Sequence, residues 1–270
     1  MAFRHTMPHA RFDVTVPHSA RVLDYFLGGK DHFAADREAG DRAIEAFPQL
    51  VNGVRANRDF LARAVRFLVG EAGIRQFLDI GTGIPTANNT HEVAQRSSAE
   101  SRIVYVDNDP IVLTHAQALL ASSPEGACAY LGTDLRNPDA ILTGAAETLD
   151  FSKPVAIMLL SVMHFVTDDD QAAAVVRRLM AQCPPGSALT ISHPASDLGP
   201  PELREVFRVL NSSGGPEHAV LRDRAQVERF FDGLDLVPPG LVNGWQWRPE
   251  DEAPATRDGV VFWAGVGRKA

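Results

Sequence analysis

The sequence predicts an α/β fold, a mostly parallel sheet with helices on its faces and a helical extension in front of it. Three observations point there. Gln76 to Pro85 is a short apolar run that ends in an acid and two nearby glycines. A strand buried on both faces reads as such a run, and glycine in the following turn lets backbone approach a ligand where a Cβ would clash. Two further acids, Asp107 and Asp134, close later apolar runs about one strand-helix unit apart. Finally, the C-terminal residues Leu234–Val237 and Val260–Val266 read as two strands around a loop, an antiparallel hairpin at one sheet edge.

The chain has 270 residues, 45% hydrophobic and 22% charged, the composition of a globular protein able to bury a large core. No apolar run reaches the roughly 20 residues that span a bilayer, and the N-terminus lacks the apolar centre of a secretion signal, so the cytoplasm is expected. A net charge of -8 argues against a protein that grips phosphate backbones. Cys128 and Cys183 stand far apart and predict free thiols, with neither a disulfide framework nor a metal site.

Met1 to Val16 has no periodicity and reads as a loosely docked arm. Ser19 offers an N-cap to a helix carrying Val22, Leu23, Phe26 and Leu27 on one face, which Gly28-Gly29 stops. Lys30-Asp31-His32 then form either a solvated connector or a lid. Asp36–Phe47 is helical in composition, and a longer helix runs over Val51–Val69 with Val54, Leu61, Val65 and Leu68 as its buried stripe. Asn57 and Arg58, in its middle, read as a solvated face or a structural hydrogen bond.

After the first strand, Thr86–Gln95 predicts a crossover helix. Arg102–Val106 is the second strand, and Asp109 caps a helix that opens on Pro110 and runs through Leu120. Asp107 lies at the carboxyl edge of the sheet, where an acid can accept hydrogen bonds from ribose hydroxyls. Ala127–Leu131 is the third strand, and Pro138 opens a helix to about Leu149. Val155–Leu160 is the most apolar strand and so the expected centre of the sheet. It leads into Ser161-Val-Met-His164, with Asp168–Asp170 starting the next helix. Ser187–Ser192 is the fifth strand, followed by His193. Helices over Pro201–Leu210 and Arg222–Phe231 and a loop bearing Trp245 and Trp247 precede the last strand.

The stretches ARVLDYFLGGKDHFAAD (Ala20–Asp36), VRANRDFL (Val54–Leu61) and FLDIGTGIP (Phe77–Pro85), with Asp107 and Asp134, make the chain resemble class I S-adenosylmethionine-dependent methyltransferases. More narrowly it is similar to an actinobacterial family known only as S-adenosyl methyltransferase, formerly a domain of unknown function. The resemblance spans nearly the whole chain. It implies a Rossmann-like, seven-stranded sheet of order 3-2-1-4-5-7-6 with the last strand antiparallel. It also implies S-adenosylmethionine as cofactor, with S-adenosylhomocysteine as product. On the residues that match, Asp79, Gly81, Thr82 and Gly83 would line the methionine moiety and Asp107 would hold the ribose. Asn108 would pack on the adenine, which Asp134 and Leu135 would face. Ser161 and His164 would face the transferred methyl and the acceptor, with His164 a candidate base and His193 a second. Tyr25 and Lys30, from the first stretch, join the expected cofactor residues. Residues 1–70 would form an arm and helical cap or lid, and residues 71–270 the methyltransferase domain.

The chain departs from the class at Pro85, where a third glycine is usual. It also has Ser161-Val-Met-His164 where amino-methylating nucleic-acid enzymes carry an Asn-Pro-Pro-Tyr type motif. That favours a small-molecule acceptor, with no nucleic acid and no membrane as partner and the oligomeric state open. Two other readings compete: a nicotinamide-dependent oxidoreductase, and a non-catalytic S-adenosylmethionine-binding regulatory module whose Trp245 and Trp247 loop meets a partner.

Overall fold

The computed structural model describes residues 13–119, 122–249 and 257–270. Most of the expected N-terminal arm and the acidic loop after Trp247 lie outside them. Three helices come first: α1 (Ser19–Phe26), α2 (Ala34–Ala46) and α3 (Leu50–Gly70). Then follow β1 (Gln76–Ile80), α4 (Thr90–Ser97), β2 (Arg102–Asp107), α5 (Pro110–Leu119), β3 (Ala127–Gly132), α6 (Pro138–Ala145), β4 (Ala156–Leu160), α7 (Asp169–Gln182) and β5 (Ala188–Pro194). The chain ends with α8 (Glu202–Asn211), α9 (Arg224–Glu228), β6 (Asp235–Leu236), β7 (Val242–Asn243) and β8 (Phe262–Arg268).

The strands form one sheet of order β3-β2-β1-β4-β5-β8-β6. Strands β1 to β5 are parallel, and β8 runs antiparallel between β5 and β6. This is the Rossmann-like order expected, with β4 at its centre. One short strand was not foreseen: β7 pairs with β8 at Val242–Ala264 and Asn243–Trp263, making eight strands.

Because strand side chains alternate, the sheet splits the core in two. Leu78, Val104, Ile157 and Leu159 pack under α6 and α7, whereas Phe77, Ile103, Tyr105 and Met158 pack under α3 and α4. The α3 side chains Phe60, Leu61, Val65 and Leu68, each 4% exposed or less, belong to that second layer. Trp247 completes it, fully buried with its ring edge-on to Phe60 at 5.4 Å and to Phe67 at 5.8 Å. A third cluster lies away from the sheet, where Val22 and Phe26 of α1 and Ala39 and Ala43 of α2 meet Leu203 and Val206 of α8.

Local departures from expectation have local causes. His18, not Ser19, is the N-cap of α1, and the Ser19 hydroxyl instead donates to Glu217. Helix α4 starts at Thr90 rather than Thr86, because Asn89 and Glu92 close a reciprocal capping box there. Residues 81–89 are therefore a loop. Helix α6 stops at Ala145, short of Leu149, and Arg222 precedes α9 rather than opening it. Among the described residues no helix is long and apolar enough to cross a membrane.

Candidate active site

The turn after β1 is shaped by two left-handed glycines, Gly81 (φ 75°) and Gly83 (φ 64°). A Cβ on Gly81 would stand 2.2 Å from Val162 Cγ2, so only glycine lets this turn lie against the end of β4. The turn is tied to β2. Gly81 N donates to Val106 O at 2.8 Å, Thr82 N also reaches Val106 O at 3.4 Å, and Gly83 N donates to the Asp107 carboxylate at 2.9 Å. Asp107 also accepts from Asp109 N at 3.0 Å, and burial pushes its carboxyl up from the ordinary value.

Asp79, at the end of β1, is buried and accepts the Thr90 hydroxyl at 2.6 Å. Burial pushes its pKa up to about 6, with the Asp107 charge adding to the rise and Thr90 and Arg58 opposing it. Arg58 reaches over from α3 and donates to the carbonyls of Ala87 and Asn88 at 3.2 and 3.3 Å, pinning the loop before α4. Its Nε is buried and has no hydrogen-bond partner among the described residues, and the same holds for Oδ1 of the neighbouring Asn57.

At the end of β4 the backbone turns sharply. Ser161 adopts a left-handed φ of 50° and donates its N–H to Ser192 O at 3.0 Å. Such a conformation costs a non-glycine residue on the order of 1–2 kcal/mol, and it is commonest where a site over-determines the backbone. The 3₁₀ turn that follows, Met163–Phe165, carries His164. Arg222, 1% exposed, clamps this turn by donating to Met163 O at 3.0 Å and Val166 O at 2.6 Å and by pairing with Asp169 at 2.8 Å.

The same arginine settles the state of His193. An arginine can only donate, so the Arg222 Nη1 contact at 2.9 Å makes His193 Nε2 an acceptor. The proton then sits on Nδ1, which donates to Pro194 O at 2.9 Å. Burial pushes this imidazole down to about 3. His164 is held well below its ordinary range too, by burial first and then by its basic neighbours His193 and Arg222. Its ring therefore stays neutral at pH 7, with Nδ1 buried and without a hydrogen-bond partner among the described residues.

One cavity connects these groups. It is lined at the strand ends by Asp79, Gly81, Asp107 and Ser161, and it extends between α1, α3 and α8. It opens where β1 is flanked by β2 and β4, the switch point at which open α/β sheets bind ligands. A family model described as S-adenosyl methyltransferase matches residues 5–270. The chain belongs to the S-adenosyl methyltransferase family. It is 47% identical to a DUF574 family protein of Streptomyces avermitilis MA-4680, over 96% of this chain and 99% of that one, with a TM-score of 0.91. It is 40% identical to a Thermobifida fusca YX protein named as a candidate methyltransferase, over 98% and 99% of the two chains, with a TM-score of 0.87. A S-adenosylmethionine-dependent methyltransferase of Anabaena variabilis ATCC 29413 shares the fold at 13% identity, over 86% of this chain and 94% of that one, with a TM-score of 0.53. No curated protein matches the chain.

In this S-adenosyl methyltransferase the cavity gathers most of the residues singled out from sequence. Asp79, Gly81, Thr82, Gly83, Asp107, Asn108, Asp134, Leu135, Ser161 and His164 all line it. Asp134 is half exposed and pairs with Arg136 at 2.8 Å. Three expected residues stand elsewhere. The Tyr25 hydroxyl donates to Asp41 of α2, Lys30 is exposed, and neither lines the cavity. His193 is sealed beneath it by Arg222 and Pro194. Conversely, Asn57 and Arg58 do line the cavity. Helical periodicity alone puts them on a solvated face; the signal that marked them was their place inside the Val54–Leu61 stretch.

Proposed function

We propose that the protein binds S-adenosylmethionine across the ends of β1, β2 and β3 and transfers its methyl group to a small-molecule acceptor seated beside His164. The observation that carries this reading is the set of complementary groups converging on one cavity. Asp107 offers carboxylate oxygens for ribose hydroxyls. Asn57 Oδ1 is an acceptor and Arg58 Nε a donor, both buried and both without partners among the described residues. An ammonium and a carboxylate, the two ends of a methionine tail, are what such a pair lacks. Asp134 and Leu135 lie past β3 where an adenine would be faced, and Asn108 stands at the rim beside them.

S-adenosylmethionine brings a methyl already activated on a sulfonium, so the chain has mainly to bind, align and exclude water. The glycine turn sets the backbone close to the cofactor, and the left-handed Ser161 ends β4 against that turn. His164, neutral and with a ring that makes no hydrogen bond among the described residues, is placed to accept the proton of an acceptor hydroxyl or amine or to orient it. The acceptor is taken to be small because its chamber lies under α1 and α8 rather than on an open face.

The competing readings lose their footing on specific features. A dinucleotide pyrophosphate is held at a helix N-terminus directly after the glycine turn, but α4 begins only at Thr90. A partner-binding tryptophan loop requires exposed rings, but Trp247 is fully buried and Arg257 lies over the Trp245 ring at 4.1 Å. Calorimetry with S-adenosylhomocysteine tests the proposal. Saturable binding is expected, and Asp107→Asn should weaken it about ten- to hundredfold, the worth of hydrogen bonds to a charged group. No binding, or an Asp107→Asn affinity within about twofold of the parent, would overturn the reading.

A further inference from the structure

The cavity continues past the expected cofactor crevice into the third apolar cluster, between α3, α8 and the segment before β8. Leu50, Val54, Phe207, Leu210 and Val261 pack against that cluster only partly buried, and all five line the cavity. Elsewhere the fold hides its large apolar side chains: among the described residues Val14 alone is exposed. Apolar surface left open inside a cavity while the exterior is spared is the mark of a site that takes an apolar ligand.

The charges in the lining say what that ligand is not. Its arginines, Arg58 and Arg136, sit at the crevice end and are held by backbone carbonyls of Ala87, Asn88 and Phe165. At the chamber end Glu217 is the ionisable group besides His164, and it already accepts the Ser19 hydroxyl. Among the described residues no lysine or arginine lines that end, and His18, the other basic side chain of the lining, lies 3.0 Å from Asp109 past β2. The His164 imidazole stands where the chamber meets the crevice, between Phe165 with ring centroids 4.1 Å apart and Phe207 at 6.1 Å, whereas the chamber's Asn211 and Ser213 are already bonded to Ala219 and Val209. It makes no side-chain hydrogen bond among the described residues.

We infer that the methyl acceptor is an uncharged, ring-bearing apolar molecule whose hydroxyl or N–H group hydrogen-bonds to His164 while its body fills the chamber between α3 and α8. This rests on the cofactor reading above. The aromatic edge of Phe207 and the aliphatic walls supply the apolar contact, and burial of a ring there is favourable at about 25 cal/mol per Å². The neutral imidazole supplies direction, since one nitrogen accepts whatever proton the ligand presents.

The test is equilibrium binding in two stages, on the full chain. S-adenosylhomocysteine is titrated first. 2-Naphthol, 2-naphthoate and naphthalene are then titrated into protein saturated with it. The expected order is 2-naphthol tightest, with both 2-naphthoate and naphthalene weaker by about tenfold, the value of one hydrogen bond or one desolvated charge. His164→Phe should abolish the preference for 2-naphthol over naphthalene. Leu210→Trp, which fills the chamber, should weaken 2-naphthol about tenfold and leave the S-adenosylhomocysteine affinity within about twofold. If that variant fails to fold, Phe207→Ala serves, with the same weakening expected. Should S-adenosylhomocysteine not bind, the cofactor reading falls and this inference with it. Should it bind while 2-naphthol does not, while 2-naphthoate binds as tightly, or while the chamber variants change nothing, the acceptor inference alone is overturned.

Discussion

Asp79 shows what a buried carboxylate does to a site before any ligand arrives. Its pKa of about 6 stands above the ordinary 3.8 because burial outweighs the help of Thr90 and Arg58. The folded-state value is raised, so its stabilising contribution is complete below about pH 4 and is lost as pH rises through 6. That rise in pKa is worth about 3 kcal/mol. Asp79→Asn is therefore expected to raise the midpoint of thermal unfolding of the ligand-free protein at pH 7 while weakening S-adenosylmethionine binding. A cationic ligand favours the ionised form, so affinity should fall about tenfold between pH 7 and pH 5, with proton release on binding near pH 6. Calorimetry in two buffers of different ionisation enthalpy reads both effects. An affinity flat across that range, or an Asp79→Asn protein that melts earlier at pH 7, would contradict this account. The acid itself was legible in the sequence, since it ends an apolar run before a glycine. Its partner Arg58 was not, because periodicity records which face a residue occupies and not whether a loop folds back over it.

At the scale of elements, every strand but the two-residue β7 was legible to within a residue or two, because apolar runs between turn residues admit few alternatives. Helix starts were less so. The helix after β1 waits for Asn89 because the capping box decides between Thr86 and Thr90, and a propensity count does not weigh such reciprocal bonds. Arg222 is the clearest case. Its neighbours suggest a surface helix, yet it is buried beneath the turn bearing His164, with carbonyls of Met163 and Val166 as partners. Those are contacts from distant parts of the chain, which no local pattern announces. Removing it leaves buried carbonyls unpaired, and Arg222→Ala is expected to cost about 3–5 kcal/mol in urea unfolding. Arg222→Lys should recover little of it, because an ammonium lacks the planar fork that reaches several acceptors at once. A loss below about 1 kcal/mol for either variant would mean that the clamp is dispensable.

At the scale of the whole molecule, the N-terminal helices play two parts that a division after residue 70 joins together. Helices α1 and α2 both line the cavity, and the layer is tied down by His18, whose Nδ1 lies 3.0 Å from Asp109, by Ser19 bonded to Glu217, by Arg42 donating to Ser213 and by Asp31 at 3.8 Å from His115. These are few polar links between a small apolar cluster and the body, which suits a layer that opens for ligand exchange. Helix α3 is different. Phe60, Leu61, Val65 and Leu68 form one wall of the sheet's second layer and meet Phe77, Tyr105 and Trp247. Each such side chain is worth about 1.5–3 kcal/mol when buried. Together they amount to about 6–12 kcal/mol, close to the entire stability of a typical domain. We therefore place the division before α3, with the lid confined to α1 and α2. A chain lacking residues 1–70 is expected to lose cooperative unfolding and native near-ultraviolet circular dichroism, because α4 and Trp247 cover only part of the face of β1, β2 and β4 that α3 would leave bare. A truncated protein that still melts in one cooperative transition would instead return α3 to the lid and leave the sheet as a domain in its own right.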